Sequence, residues 1–182
     1  LGDVYKRQIS LNGAATIVHE AGTAYSDLGA TWTDVVDGSG NASIGGAAVN
    51  VNTLGDYVVE YTVSDAAGNV ATPVTRTVTV SDSTKPVITL TGDASVTMEA
   101  GTNYVELNAT ATDSFDQNLP GITIDSSAIQ NTVPGTYAVT YNVSDASGNA
   151  AITKTRQVQV VDTSAPVISL NGAATIVHEA GT

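Results

Sequence analysis

The stretch GDYVVEYTVSD, Gly55 to Asp65, returns as GTYAVTYNVSD at Gly135 to Asp145. In the first copy Tyr57, Val59, Tyr61 and Val63 alternate with Val58, Glu60, Thr62 and Ser64, the two-residue period of a strand with one buried face. Val74, Arg76, Val78 and Val80 continue in the same manner. Turn signals interrupt the pattern at Asn12-Gly13, Ala21-Gly22, Asp37-Gly38, Leu54-Gly55 and Gly68-Asn69, 9 to 17 residues apart, which reads as about seven short strands per copy in an antiparallel sandwich of immunoglobulin type. The fold class expected is therefore all-β, with helices nearly absent. Tyr57 and Tyr137 stand where a tyrosine-corner contact is made.

Other blocks repeat in step. ISLNGAATIVHEAGT occupies Ile9 to Thr23, is varied as ITLTGDASVTMEAGT at Ile88 to Thr102, and returns letter for letter at Ile168 to Thr182. Asp82-Ser-Thr-Lys-Pro86 corresponds to Asp162-Thr-Ser-Ala-Pro166. Self-similarity at a fixed period marks a tandem array. The expected organisation is an Ig-like repeat at 9–85, a second at 86–166 and the start of a third at 167–182, cut from a longer array of sandwiches in an extended file. The opening residues 1–8, LGDVYKRQ, fit no repeat and look like a translated adapter, so they are set aside from the fold. The third start lacks its partner strands and is expected to be poorly ordered or to serve as an extra edge strand.

Composition narrows the function. The 182 residues hold 6 Lys and Arg against 18 Asp and Glu, a net charge of −12. That charge repels phosphate backbones and anionic lipid, which disfavours nucleic acid and membrane-surface partners. No apolar run is long enough for a membrane span. Cysteine is absent, which removes thiol chemistry, disulfides and thiolate zinc sites together.

The acids recur in columns: Glu20 with Glu99, Asp27 with Glu106, Asp34 with Asp113, Asp37 with Asp116, Asp65 with Asp145, and Asp82 with Asp162. In the inferred topology Asp113 and Asp116 lie in the B–C loop and Asp145 in the F–G loop at the leading end of the second repeat. Glu20 and Asp82 lie at the trailing end of the first, and the five-residue linker Asp82 to Pro86 forces these ends together. Carboxylates about 4 Å apart repel by roughly 4 kcal/mol at an effective dielectric of 20. Oxygen donors from separate loops, without His or Cys, suit Ca²⁺, which takes six to eight ligands in flexible geometry. Glu20, Asp82, Asp113, Asp116 and Asp145 are therefore expected to form a Ca²⁺ site at the first junction. Glu99 and Asp162 would form half of a second, and Asp34, Asp37 and Asp65 half of one with a preceding repeat.

The blocks ATDSFD (Ala111 to Asp116), YxVxYxVSDxxGN and Asp-Thr-x-x-Pro together resemble the bacterial immunoglobulin-like repeats of large surface adhesins, related to those of pesticidal crystal proteins and to hyalin-type repeats. The resemblance covers Ile9 to Thr182. It implies long extracellular stalks of tandem sandwiches, some stiffened by Ca²⁺ at the joints, with Asp34, Asp37, Asp65, Asp82, Asp113, Asp116, Asp145 and Asp162 as candidate ligands. Ser114-Phe115 and Gln117-Asn118, around Asp116, depart from the Asp-Gly that commonly follows the second acid in relatives.

The remaining polar residues read as structural. His19 and His178 share a column with Met98, no Ser-His-Asp grouping recurs, and Trp32 is replaced by Ala111 in the second repeat. Arg76 and Arg156 read as exposed partners of nearby acids, each contributing under about 1 kcal/mol. The expected function is a non-enzymatic spacer in an extracellular adhesin of the bacterial cell surface. Its partners would be the neighbouring repeats, with a host or matrix ligand bound by distal domains. Two rivals are a carbohydrate- or protein-binding module, which predicts a repeated aromatic patch, and an accessory domain of a secreted enzyme.

Overall fold

The computed structural model describes residues 7–172, 174–175 and 181. All regular structure among them is β: β1 (Gln8–Leu11), β2 (Thr16–Glu20), β3 (Ala30–Asp34), β4 (Gly38–Asn41), β5 (Ser43–Gly46), β6 (Gly55–Thr62), β7 (Val74–Ser81), β8 (Val87–Leu90), β9 (Ser95–Glu99), β10 (Ala109–Thr112), β11 (Thr123–Asp125), β12 (Gly135–Asn142) and β13 (Lys154–Val161). The sheets run β1-β3-β4, β2-β7-β6-β5, β10-β8 and β11-β12-β13-β9. The chain divides into two compact units. Unit 1 takes the residues up to Thr89 with Ala109–Thr123 and Tyr141–Lys154; unit 2 takes Leu90–Asn108, Ile124–Thr140 and the residues from Thr155 on.

In unit 1 the two sheets of the first repeat enclose Ala21, Ala30, Val59, Tyr61, Val78 and Val80. Val59, Tyr61, Val78 and Val80 are inward residues of the two-residue alternation, and their columns are buried in the second repeat at Val139, Tyr141, Val158 and Val160. The tyrosine corners form as expected. Tyr57 Oη donates to the Thr53 carbonyl at 2.9 Å, and Tyr137 Oη to that of Val133 at 2.9 Å.

Three expectations are corrected. The sandwich is not wholly antiparallel, because β2 pairs parallel with β7 (Ile17 with Val78) and β9 parallel with β13 (Val96 with Val158). The leading strand is broken at Asn12-Gly13 and crosses from one sheet to the other, so its second half lies beside the last strand of the repeat. Residues 7 and 8, set outside the repeats on sequence, belong to unit 1: Gln8 opens β1 opposite Thr33. Among the described residues beyond Val161 none lies in a strand, and Val167, Ile168 and Leu170 are exposed.

The third correction concerns the arginines. Arg76 is fully buried, 0% exposed. Its Nη1 donates to Asp27 Oδ2 at 2.9 Å and to Tyr61 Oη at 2.8 Å, its Nε to the Ala14 carbonyl at 3.0 Å, and its Nη2 to the Asn12 carbonyl at 2.7 Å. Burial opposes ionisation of Asp27, yet donors from Tyr25, Tyr61, the Gly29 amide and Arg76 outweigh it and hold the carboxyl down at about 2. In unit 2 the equally buried Arg156 donates to Glu106 at 2.7 Å and to the carbonyls of Asp93 and Thr91. Each guanidinium thus ties the broken leading strand to the core, and removing one partner of such a buried pair costs about 3–5 kcal/mol.

Candidate metal centre

Asp113 and Asp116 follow β10, Asp145 follows β12, and Asp82 follows β7; all four belong to unit 1. Local chemistry fixes each loop. Asp113 Oδ1 accepts from the amides of Phe115 (2.8 Å) and Asp116 (3.0 Å), an Asx turn that folds the loop back on itself. Asp145 Oδ1 accepts from the Asn149 amide at 2.7 Å and Oδ2 from Asn149 Nδ2 at 2.9 Å. Gly148 makes that return possible with a φ of 91°, in the left-handed region that glycine enters without a Cβ clash. Asn149 Nδ2 also reaches the carbonyl of Asp82 at 3.1 Å, and the Ala146 amide donates to Asp116 Oδ2 at 2.8 Å.

One carboxylate oxygen each from Asp82, Asp116 and Asp145 lies within 4.8 Å of the other two. Ligands on opposite sides of a calcium ion stand about 4.8 Å apart, twice a bond of about 2.4 Å, so these three oxygens can share one ion. Asp82 and Asp145 are each only 7% exposed. Asp82 Oδ1 accepts from the Thr84 amide at 3.1 Å, while its Oδ2 and the Oδ2 of Asp113 are buried with no hydrogen-bond partner among the described residues. Burial, with the charges of Asp113 and Asp145, pushes the Asp82 carboxyl above the usual carboxylate range. Among the described residues, the ion pairs of Lys and Arg go to Asp27, Asp37 and Glu106, and none reaches these four acids. Buried anionic oxygens without donors or counter-charge are costly, and one divalent cation could be held by the oxygens of Asp82, Asp116 and Asp145.

Glu20 is turned elsewhere. Its carboxylate accepts from the amides and hydroxyls of Ser83 and Thr84, with the Ser83 hydroxyl at 2.5 Å and that of Thr84 at 2.7 Å. Those bonds, led by the Ser83 and Thr84 hydroxyls, hold it down at about 2. In unit 2 Glu99 makes the same bonds to Thr163 and Ser164, and Asp162 Oδ1 accepts from the Ser164 amide at 3.2 Å. Glu20 and Glu99 therefore fasten the linkers rather than join an oxygen cluster.

The remaining predicted residues, Asp34, Asp37 and Asp65, sit in unit 1 in the same loops of the first repeat. Asp34 Oδ1 takes the amides of Val36 and Asp37 at 2.7 and 3.0 Å, and Asp65 takes Asn69 through both oxygens. Asp37 pairs with Arg7 at 3.2 Å. His19 is structural, meeting Tyr25 edge to face at 5.2 Å, and His178 lies outside the described residues.

Sequence reasoning missed Phe115 and Asn149. Phe115, between the two acids of its loop, packs on the core of the first repeat, 3.4 Å from where a Cβ on Gly22 would stand. The repeated Asn69 and Asn149 column was the available signal for the second.

Residues 9–80 and 88–160 each match the family described as bacterial surface protein, Ig-like domain. The chain belongs to this family. Hyalin of Strongylocentrotus purpuratus is 33% identical over 159 residues, covering 82% of the chain and 13% of that protein. Hyalin of Lytechinus variegatus is 35% identical over 179 residues, covering 87% and 32%. This pair of bacterial surface Ig-like domains thus spans less than a third of the length of either relative. Among solved structures, the fibronectin(III)-like modules of Clostridium thermocellum CbhA cover 91% of the chain and 100% of theirs at 14% identity and a TM-score of 0.38. The lipoprotein BT2262 of Bacteroides thetaiotaomicron covers 82% and 98% at 16% and 0.35. Membership in a surface Ig-like family points to a non-catalytic module at the cell surface, and no helix among the described residues is long and apolar enough to cross a membrane.

Proposed function

We propose that the chain is a spacer segment of an extracellular adhesin, in which Ca²⁺ held by Asp82, Asp116 and Asp145, with Asp113 beside them, locks each repeat to the next. The single observation that carries this reading is the meeting of three carboxylate oxygens within 4.8 Å beside buried oxygens of Asp82 and Asp113 that have no hydrogen-bond partner among the described residues. Calcium supplies the positive charge that this oxygen set lacks. The protein's part is positional: Asp82 comes from the linker after β7, and the other acids come from loops of the following repeat. Their shared ligation would convert a five-residue tether into a fixed joint. Phe115 on the Ala21-Gly22 turn adds an apolar contact to the same joint. Glu99 and Asp162 would belong to the next such joint, and binding of a host or matrix ligand would fall to other parts of the protein. Millimolar calcium outside the cell suits such a site, and the joint would stiffen only after export.

The test is a thermal melt of the full chain in millimolar calcium and in chelator, repeated on Asp145→Asn. Calcium at 100 times its dissociation constant adds about 2.7 kcal/mol to stability. The wild-type midpoint is expected to rise by that equivalent and the variant's to stay put. A wild-type midpoint indifferent to chelation overturns the proposal.

A further inference from the structure

The leading loops of the first repeat already hold a cation, supplied by the chain itself. The Arg7 guanidinium carbon lies 4.1 Å from the centroid of the Trp32 ring, within the range of a cation–π contact. Nη2 donates to Asp37 Oδ2 at 3.2 Å, and Nη1 donates to the carbonyl of Ser64. The Arg7 side chain retains only 12% of its exposure. An aromatic face for stacking, with a carboxylate and a carbonyl on two different nitrogens, engages both the flat face and the forked donors of a guanidinium.

The receptor is built by the repeat and not by Arg7. Trp32 is held by its Nε1, which donates to the Asn41 carbonyl at 3.1 Å, and a Cβ on Gly40 would come within 2.9 Å of the ring. Gly40 thus leaves room for the indole to lie flat on β4. Asp37 is placed by the Asx turn of Asp34, whose Oδ1 takes the Asp37 amide. Ser64 is fixed by its bridge to Val70 across the loop that follows β6. The second repeat keeps the acids but has Ala111 in place of Trp32, so its equivalent loops lack the stacking face.

We propose that Trp32, Asp37 and the Ser64 carbonyl form a guanidinium-binding site, filled here by Arg7 and open to an arginine side chain from another segment or chain when residue 7 is not arginine. This assignment is independent of calcium at Asp82, Asp116 and Asp145.

Trp32 is the only tryptophan, so its fluorescence reports on this site alone. In full-length Arg7→Ala, with folding verified by circular dichroism, the emission maximum is expected to move to the red. Titration with argininamide should then reverse that shift saturably, and lysinamide should act at least about fivefold more weakly. The wild-type chain should show no saturable response to argininamide, because its site is filled. Asp37→Asn in the Arg7→Ala background should weaken the argininamide response severalfold. An emission maximum unchanged by Arg7→Ala, an equal response to lysinamide, or a response that survives Asp37→Asn undiminished overturns the assignment.

Discussion

The loops at Asp34, Asp37 and Asp65 and those at Asp113, Asp116 and Asp145 are the same structure built twice within unit 1. Both have the Asx turn, both have the aspartate clasped by an asparagine four residues on, and in both the first aspartate leaves Oδ2 buried without a partner among the described residues. They differ in what meets them. Arg7 meets the first set and brings a positive charge; Asp82 meets the second and brings a fourth negative one. Both repeats therefore present the same group of carboxylates, and the segment leading into the repeat differs in the charge it brings to them. A guanidinium pairs with one acid of the first set, whereas among the described residues no Lys or Arg pairs with the second.

Charge removal separates the two most sharply. With calcium saturating, Asp82→Asn is expected to lose nearly the whole calcium-dependent stabilisation, about 2.7 kcal/mol at 100 times the dissociation constant. For a domain of this size that corresponds to roughly 10–20 °C in the midpoint. Asp37→Asn, which unpairs Arg7 at the other end, should retain the calcium shift in full. Calorimetric melts of both variants with calcium and with chelator check this, and equal loss in the two variants would mean that the ends do not differ as described.

How far this contrast could be read from sequence depends on the residue. The two-residue alternation that identified the strands also placed Arg76 on the inward side with Val74, Val78 and Val80. The signal for a buried arginine was present and was overridden by the ordinary preference of arginine for solvent. Its partner Asp27 lies 49 positions away, so no local pattern joined the two. The parallel pairing of β2 with β7 was not legible either, because a break at Asn12-Gly13 reads as a turn whether the chain reverses or merely changes sheets. Asp82, Asp113, Asp116 and Asp145 could be brought together because the linker is short and the loops share an end. Glu20 was assigned to the same cluster on the same reasoning; what removed it was the side-chain chemistry of Ser83 and Thr84, whose hydroxyls and amides use up its oxygens. Arg7 was lost to view for a different reason, since a segment outside any repeat offers no column to compare.

Acid titration gives a second, smaller contrast, and its sign reverses with the metal. The folded-state carboxyl of Asp82 titrates above its unfolded value of 3.8. In chelator the neutral form is favoured by folding, so its contribution to stability is present below 3.8 and is lost as pH rises through the raised folded value. In calcium the carboxylate must be ionised to bind, and acidification through the same range releases the ion and destabilises the fold. The difference between wild type and Asp82→Asn, measured by denaturant unfolding from pH 3 to pH 7, should therefore slope in opposite directions with and without calcium. Slopes of one sign in both conditions would remove Asp82 from the cation site.

The smallest effect expected is at Glu20, and its value lies in being indifferent to calcium. The folded-state carboxyl stands at about 2, below the usual 4.5, chiefly through the Ser83 and Thr84 hydroxyls. Its stabilisation is accordingly present above 4.5 and is lost as pH falls toward about 2. Discounted for solvent screening, the linker bonds contribute about 1 kcal/mol. Glu20→Gln should lower stability by that amount in calcium and in chelator alike, and any effect of Glu99→Gln in unit 2 should likewise not depend on calcium. A glutamate that fastens the linker orders Asp82 whether or not an ion is bound, whereas a glutamate that ligated the ion would lose its effect in chelator. Equal losses in the two buffers thus assign Glu20 to the tether, and a loss confined to calcium would return it to the oxygen cluster.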